Sequence, residues 1–295
     1  MAEIRFAKSD EINQLKELWK ICFGDEDSYI DFYYKHRFKK EETLLLLENN
    51  QIASMLTMMP LVFSLPNNQI YKSTMLYAIA THPNHRGKNL ATQLIAQSNK
   101  YIKVNDGHLS VLVPATKPLF EFYYNQDYKD GFYIRETLLT YAAIQFLSFG
   151  TSEKCSIISA HASKYNYVRN KILYGKIFIN YSDEDIAYQK KLCQQTNADI
   201  YLLNFQHIQG CAIIERLSAE KVFIKELLLD EKYLNTALKQ ISALFHAEEY
   251  ILRTPSFSGL NLGGSTRPFA VFKALTYIPF DFPINQEGYL GLAFD

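Results

Sequence analysis

The amino-acid sequence predicts an α/β chain. Residues 1–145 read as a mixed, mostly antiparallel sheet flanked by helices, and residues 156–295 as a second half of similar build. Three observations predict it. Apolar periodicity gives the element order β-α-α-β-β-β-α-β-α-β, complete by about residue 140. Glycine and small polar residues then cluster at 146–155 and mark a boundary. Beyond it, three strands, a helix and a strand recur, and 295 residues exceed what one core usually fills.

Each element has a local signal. Residues 3–7 alternate as a short strand. Ser9 is expected to cap a helix whose apolar set is Ile12, Leu15, Leu18, Trp19 and Cys22, stopped by Gly24-Asp25. A second helix runs through Tyr29, Phe32 and Tyr33 toward Phe38. Three strands follow at 43–47, 52–65 and 70–81, joined by turns at Asn49-Asn50 and Pro66-Asn67-Asn68. Pro83-Asn84 ends the third. A helix over 89–104 directs Leu90, Leu94, Ile95 and Tyr101 to the core, and Asn105-Asp106-Gly107 stops it. A strand at 109–113, a helix at 117–125 with Pro118 in its first turn, and a strand at 132–140 complete the half. In the second half, Ser182 caps a helix to about Gln195. Strands at 199–205, 210–215 and 221–229, a helix at 233–245 and a strand at 250–253 follow. Thr116-Lys117-Pro118 with Phe122 is echoed 150 positions later by Thr266-Arg267-Pro268 with Phe272. Together with the matched element order, the echo points to an internal duplication.

Composition excludes several classes. Lys+Arg and Asp+Glu each total 31, so the chain lacks the basic surplus that sequence-independent nucleic-acid binding needs. Cys22, Cys155, Cys193 and Cys211 stand far apart without metal-ligand spacing; lone thiols fit a reducing cytoplasm better than a disulfide framework or a zinc site. No stretch approaches the roughly eighteen apolar residues of a membrane span, and the N-terminus lacks an apolar signal segment. The 21 tyrosines and 20 phenylalanines are spread along the chain and read as core packing.

The residues that carry chemistry lie at 85–91, His85-Arg86-Gly87-Lys88-Asn89-Leu90-Ala91. They follow a strand and open a helix. The first N–H groups of a helix lack intrahelical partners and its dipole favours anions, so such a turn can hold a pyrophosphate without a metal. Gly87 lets backbone approach phosphate, Ala91 keeps the helix start small, and Arg86 and Lys88 add charge. Read without context, the same residues make an ordinary basic turn. His82 and His85 flank it; imidazole is a base near neutral pH, but on a phosphate loop it reads as a solvent-facing donor.

The segment Tyr77-Ala78-Ile79-Ala80-Thr81-His82-Pro83-Asn84-His85-Arg86-Gly87-Lys88-Asn89-Leu90-Ala91 resembles motif A, R/Q-x-x-G-x-G/A, of the GNAT superfamily (GCN5-related N-acetyltransferases). Arg86 and Ala91 match its ends. Asn89 stands where the family has glycine, and asparagine is the next most tolerant of left-handed backbone. The resemblance covers 1–140 and extends over 156–295 as a degenerate copy, in which Leu227-Leu228-Leu229-Asp230-Glu231-Lys232-Tyr233 takes the turn position without glycine and with added acid. The arrangement is similar to tandem GNAT proteins, including enhanced-intracellular-survival-type acetyltransferases. It implies an acetyl-CoA-binding catalytic domain at 1–145 and a degenerate GNAT-like domain at 156–295. It also implies a pantetheine arm paired with the backbone of Ile79, Ala80 and Thr81, and a pyrophosphate on Arg86, Gly87, Lys88, Asn89, Leu90 and Ala91.

Acetyl transfer to an amine needs a neutral nucleophile and a proton for the leaving thiolate. Phe122-Tyr123-Tyr124-Asn125-Gln126-Asp127-Tyr128 resembles the family's L-Y-x-K-L-G-F segment, which puts Tyr123 at the acid position, with Asp127 for glycine and Tyr128 for phenylalanine. The alternative for Tyr123 is packing. The strand Ser73-Thr74-Met75-Leu76-Tyr77-Ala78 has no carboxylate to serve as base. Some tandem relatives, and N-myristoyltransferase, use the C-terminal carboxylate, which here nominates Asp295 at the end of an apolar, strand-like tail; the alternative is a tail that finishes the second sheet. Met55, Met58, Met59 and Met75 read as core, on strands that in the family flank acetyl group and acceptor, which suits an apolar acceptor pocket. The function expected is an acetyl-CoA-dependent N-acetyltransferase acting on a primary amine of a small molecule or peptide, in the cytoplasm, without metal, nucleic acid or membrane as partner. The competing readings are a non-catalytic acyl-CoA sensor and an aminoacyl-tRNA-dependent transferase. Oligomeric state and acceptor are not legible.

Overall fold

A computed structural model describes residues 2–279 and 287–294. The chain forms two compact units. The first comprises Met1–Phe63, Ile70–Lys129 and Val271–Asp281, the second Ser64–Gln69, Asp130–Ala270 and Phe282–Asp295. The elements in chain order begin with β1 (Ala2–Phe6), α1 (Ile12–Phe23), α2 (Asp27–His36), β2 (Thr43–Glu48), β3 (Gln51–Ser64), β4 (Ile70–Thr81), α3 (Leu90–Val104), β5 (Leu109–Leu112) and α4 (Lys117–Tyr124). They continue with β6 (Lys129–Thr140), α5 (Tyr141–Phe146), β7 (Ser156–Ser159), α6 (Ala162–Leu173), β8 (Phe178–Asn180) and α7 (Asp183–Gln194). The last are β9 (Ile200–Asn204), β10 (Gln209–Arg216), β11 (Lys221–Leu228), α8 (Glu231–Leu244), β12 (Glu249–Pro255) and β13 (Ser265–Ala274).

In the first unit the strand order is β1-β2-β3-β4-β5, with Val271–Ala274 of β13 antiparallel to β5. β1 and β2 pair antiparallel, as do β2 and β3, whereas β4 and β5 are parallel. Asn49 and Asn50 both take positive φ (50° and 63°), the two-residue turn that matches hairpin twist. The apolar run Leu44–Leu47 is continuous because both faces of β2 are covered. Leu44 and Leu46 join Leu90, Leu94, Ile95 and Ile102 of α3 in one core. Thr43 lies on the other face, where its hydroxyl is 3.5 Å from that of Thr57, which in turn meets Tyr33 Oη of α2 at 3.3 Å.

The second unit orders its strands β6-β12-β11-β10-β9-β7. β9, β10 and β11 are an antiparallel meander, α8 follows, and β12 lies parallel to β11. That repeats the order β2-β3-β4-α3-β5, down to the parallel pair. Beneath it lies a fully buried ion pair, Arg169 with Glu226, at 3.1 Å. Glu226 also accepts from Tyr165 (2.7 Å) and Tyr289 (3.0 Å), and Arg169 donates to the carbonyls of Ile179 (2.8 Å) and Leu290 (3.0 Å). Tyr181 donates to the Leu292 carbonyl at 2.6 Å. The tail is thereby drawn into this unit: Tyr289, Leu290, Leu292 and Phe294 are fully buried.

Three expectations from the sequence are corrected. Ser9 does not cap α1; it lies in a 3-10 turn, Ser9–Glu11, and the Glu11 carboxylate accepts the Lys8 N–H at 2.7 Å. Tyr101 is 41% exposed and lies edge-on to Phe6, while Ser98 and Ile102 face inward on α3. The echoed Thr-x-Pro segments differ in structure, since Thr116 precedes helix α4 and Thr266 lies within strand β13. The division into units also departs from a boundary at 146–155. β6 pairs with β12, from Glu249↔Thr140 to Pro255↔Ile134, and the last four residues of β13 pair with β5. Among the described residues no helix is long and apolar enough to cross a membrane.

Removing one partner of a buried, fully bonded ion pair leaves an uncompensated charge. Arg169→Met is therefore expected to lower stability by about 3–5 kcal/mol, measured by denaturant unfolding followed by circular dichroism.

Candidate active site

The site begins where two strands part. β4 and β5 pair in parallel from Ser73↔Leu109 to Met75↔Val111, and the register ends there. Three residues on, Ala78 takes φ 49°, a left-handed conformation that costs a β-carbon residue roughly 1–2 kcal/mol. The rest of β4 stays with β3: the His82 N–H donates to Ala53 at 2.9 Å, and Ser54 Oγ donates to the Ala80 carbonyl at 2.7 Å. Main-chain groups alternate in direction along a strand, so Ile79 and Thr81 turn theirs away from β3. On that side the Thr81 carbonyl accepts from Arg86 Nε and from the Cys22 thiol, each at 3.3 Å. Burial pushes the Cys22 thiol up from its ordinary value, and Arg86 opposes the shift.

The turn then delivers an open helix start. Pro83–His85 form a single 3-10 turn, with the His82 ring accepting the Asn84 N–H at 3.2 Å. Gly87 is left-handed (φ 78°), and open space surrounds the position a β-carbon would take. Asn89 is left-handed too (φ 56°), as its substitution for glycine requires. Its side chain makes no capping bond, and the first helical bond runs from the Gln93 N–H to the Asn89 carbonyl. The N–H groups of Leu90, Ala91 and Thr92 thus have no intrahelical acceptor. Arg86, Gly87, Lys88 and Asn89 are exposed and Ala91 half-buried; Leu90 buries its side chain in the core and can offer only backbone.

The corresponding helix of the second unit is closed. Asp230 caps α8 by accepting the Lys232 N–H at 3.0 Å, and Glu231 accepts the N–H of Gly259 at 2.8 Å. A phosphate there would meet carboxylates already in place.

Tyr123 lies on α4, buried in the first unit's core against Phe122 and Tyr128 (ring centroids 5.1 and 5.9 Å). Burial pushes its hydroxyl well above the ordinary tyrosine range, so the phenol keeps its proton throughout the neutral range. Asp127 takes the left-handed conformation that a glycine would (φ 64°) and pairs with Lys273 at 3.1 Å. Met55, Met58, Met59 and Met75 are buried. Asp295 lies outside the described residues. Phe294, next to it, packs against Tyr181 and Tyr188 (5.6 and 6.1 Å).

Sequence reasoning missed Cys22, Ser54, Ala78 and Glu48. Glu48 ends β2 and holds two residues of the turn, His85 Nδ1 at 2.6 Å and Lys88 Nζ at 2.8 Å. Its signal was a lone carboxylate closing an apolar strand before Asn-Asn, visible only once the strand end is set beside residues forty positions away.

Residues 3–130 match the family described as acetyltransferase (GNAT) domain. No curated protein matches the chain. Among solved structures, a GCN5-related N-acetyltransferase from Anabaena variabilis superposes with a TM-score of 0.75 at 15% identity, covering 94% of this chain and 73% of its own. A probable N-acyltransferase from Enterococcus faecalis gives 0.73 at 14% identity, covering 93% and 72%. Eis1 from Mycobacterium abscessus gives 0.68 at 10% identity, covering 92% and 74%. At these identities the likeness establishes the fold, a mixed sheet flanked by helices. The family match spans the parted strands, the turn and Tyr123: residues 3–130 match an acetyltransferase domain of the GNAT superfamily.

Proposed function

We propose that this chain transfers an acetyl group from acetyl-CoA to a primary amine of a small molecule or peptide, with the first unit holding the thioester. The observation that carries the reading is the continuous run from the parted strand to the open helix start. Ile79 and Thr81 offer backbone for an amide-bearing arm, and the N–H groups from Gly87 to Ala91, with Arg86 and Lys88, offer an anion seat. The tandem reading, with one cofactor seat in the first half, is supported by the repeated strand order and by the carboxylates that close α8. The four cysteines are all free, which supports a cytoplasmic setting.

In the reaction the amine nitrogen attacks the acetyl carbonyl carbon, the C–S bond breaks, and the thiolate takes a proton. Tyr123 is assigned as its donor. A buried phenol is a weak acid, but a thiolate formed in the same apolar surroundings is correspondingly more basic, which keeps the transfer feasible. Asp295 is assigned as base on sequence alone.

A second reading, an acyl-CoA sensor without turnover, is favoured by the lack of any carboxylate on β4. Calorimetry with CoA, followed by free-thiol release across an amine panel, separates the two; binding without turnover on any amine selects the sensor. For the enzyme, Arg86→Ala is expected to weaken CoA binding about tenfold with little change in melting temperature. Tyr123→Phe, which keeps the ring, is expected to lower kcat about a hundredfold with CoA affinity unchanged. Because a raised pKa keeps the acid form present below it, kcat/KM is expected to rise with the free amine and show no alkaline fall below about pH 9. A fall there that vanishes in Tyr123→Phe would count against the assigned environment.

A further inference from the structure

The anion seat carries its own counter-charge. Glu48, the last residue of β2, reaches Lys88 Nζ at 2.8 Å and His85 Nδ1 at 2.6 Å. Among the described residues Lys88 has no other carboxylate partner. Arg86 is held differently. Its Nε donates to the Thr81 carbonyl at 3.3 Å, and no carboxylate within 4.0 Å pairs with it among the described residues. The two cations of the turn are thus in different states: Arg86 has a full positive charge to offer, and Lys88 is already paired. Hydrogen bonds from Lys88, and then His85, hold the Glu48 carboxyl below the ordinary carboxylate range, so it is ionised at neutral pH.

We propose that Glu48 is an internal competitor for the phosphates of the cofactor, holding Lys88 while the turn is empty and yielding it, wholly or in part, when a pyrophosphate arrives. This rests on the reading of residues 85–91 as a pyrophosphate seat. An exposed lysine–carboxylate pair is weak, and a lysine stem is flexible enough to swing to a new anion, so the exchange itself is easy. The negative charge of Glu48 does not leave with Lys88. It stays beside the incoming anion and opposes it over a distance within the ~10 Å reach of electrostatics at 0.1 M salt. Glu48 therefore lowers affinity for phosphate-bearing ligands, and it acts on the phosphates alone. Loose binding of this kind eases departure of the spent CoA, which carries the same phosphates as the acetylated form.

The obvious alternative is that Glu48 is a positioning residue that pre-sets Lys88 for phosphate, and the two predict opposite signs. Isothermal titration of wild type and Glu48→Gln with CoA, and with pantetheine, which has no phosphates, separates them. The expected result is about fivefold tighter CoA binding by Glu48→Gln at low salt, with the gain disappearing near 0.5 M salt and pantetheine binding unchanged. In a Lys88→Met background the gain is expected to shrink, because the cation that Glu48 withholds is gone. Unchanged or weaker CoA binding by a folded Glu48→Gln, with wild type binding normally, overturns the competitor role and leaves the cofactor assignment standing. If neither folded protein binds CoA at any salt, the cofactor assignment fails and the competitor role with it. If Glu48→Gln misfolds, Lys88→Met alone decides: a loss of CoA affinity at low salt much smaller than that of Arg86→Ala supports prior neutralisation of Lys88, and an equal loss overturns it.

Discussion

The first unit is organised around strands that stop pairing. Parallel strands in one sheet normally bond along their shared length, and buried backbone groups left unbonded are costly. β4 leaves β5 after Met75↔Val111, and the Ala78 conformation redirects the strand. Everything that follows uses the freed edge. The Thr81 carbonyl is reached by Arg86 and Cys22, the chain turns through Pro83 and Gly87, and α3 starts without a side-chain cap. The N–H groups of Leu90, Ala91 and Thr92 are thereby left without intrahelical acceptors.

The second unit meets the same constraint and resolves it internally. β11 runs parallel to β12 only from Lys221↔Glu249 to Ile224↔Leu252. The next two residues, Lys225 and Glu226, are fully buried ions, and each has a partner: Glu215 for Lys225 at 2.8 Å, Arg169 for Glu226. Its helix start is closed by Asp230 and Glu231. One topology thus has two outcomes, decided by a few carboxylates. Where the residues after the strand are glycine, lysine and asparagine the helix start stays open, and where they are acidic the chain supplies its own anion.

Most of the fold was legible because its cues are local. Paired asparagines at 49–50, Gly24, Pro83 and Ser182 each act within a few residues, and the elements they bound fall where periodicity puts them. The turn was legible for the same reason, and Asn89 is left-handed because the chemistry of asparagine permits it. What was missed is non-local. The pairing of β13 with β5 joins positions about 160 apart and leaves no mark on either segment. Glu48 acquires meaning only beside Lys88, and the Arg169–Glu226 pair joins residues 57 positions apart. The short echo of Thr-x-Pro misled because identical letters were placed by different surroundings, one before a helix and one in a strand.

The long-range contacts also govern how each unit is completed. The first unit's sheet is not complete until residues 271–274 can lie along β5, and the second unit's ionic core is not complete until residues 289–292 reach Arg169 and Tyr181. Until those contacts form, the β5 edge and the Arg169 guanidinium lack part of their bonding. Closing such distant contacts is slow, and open edges invite pairing with other chains. Each unit is therefore closed by residues far apart in the chain, so that its completion depends on the slowest contacts it makes.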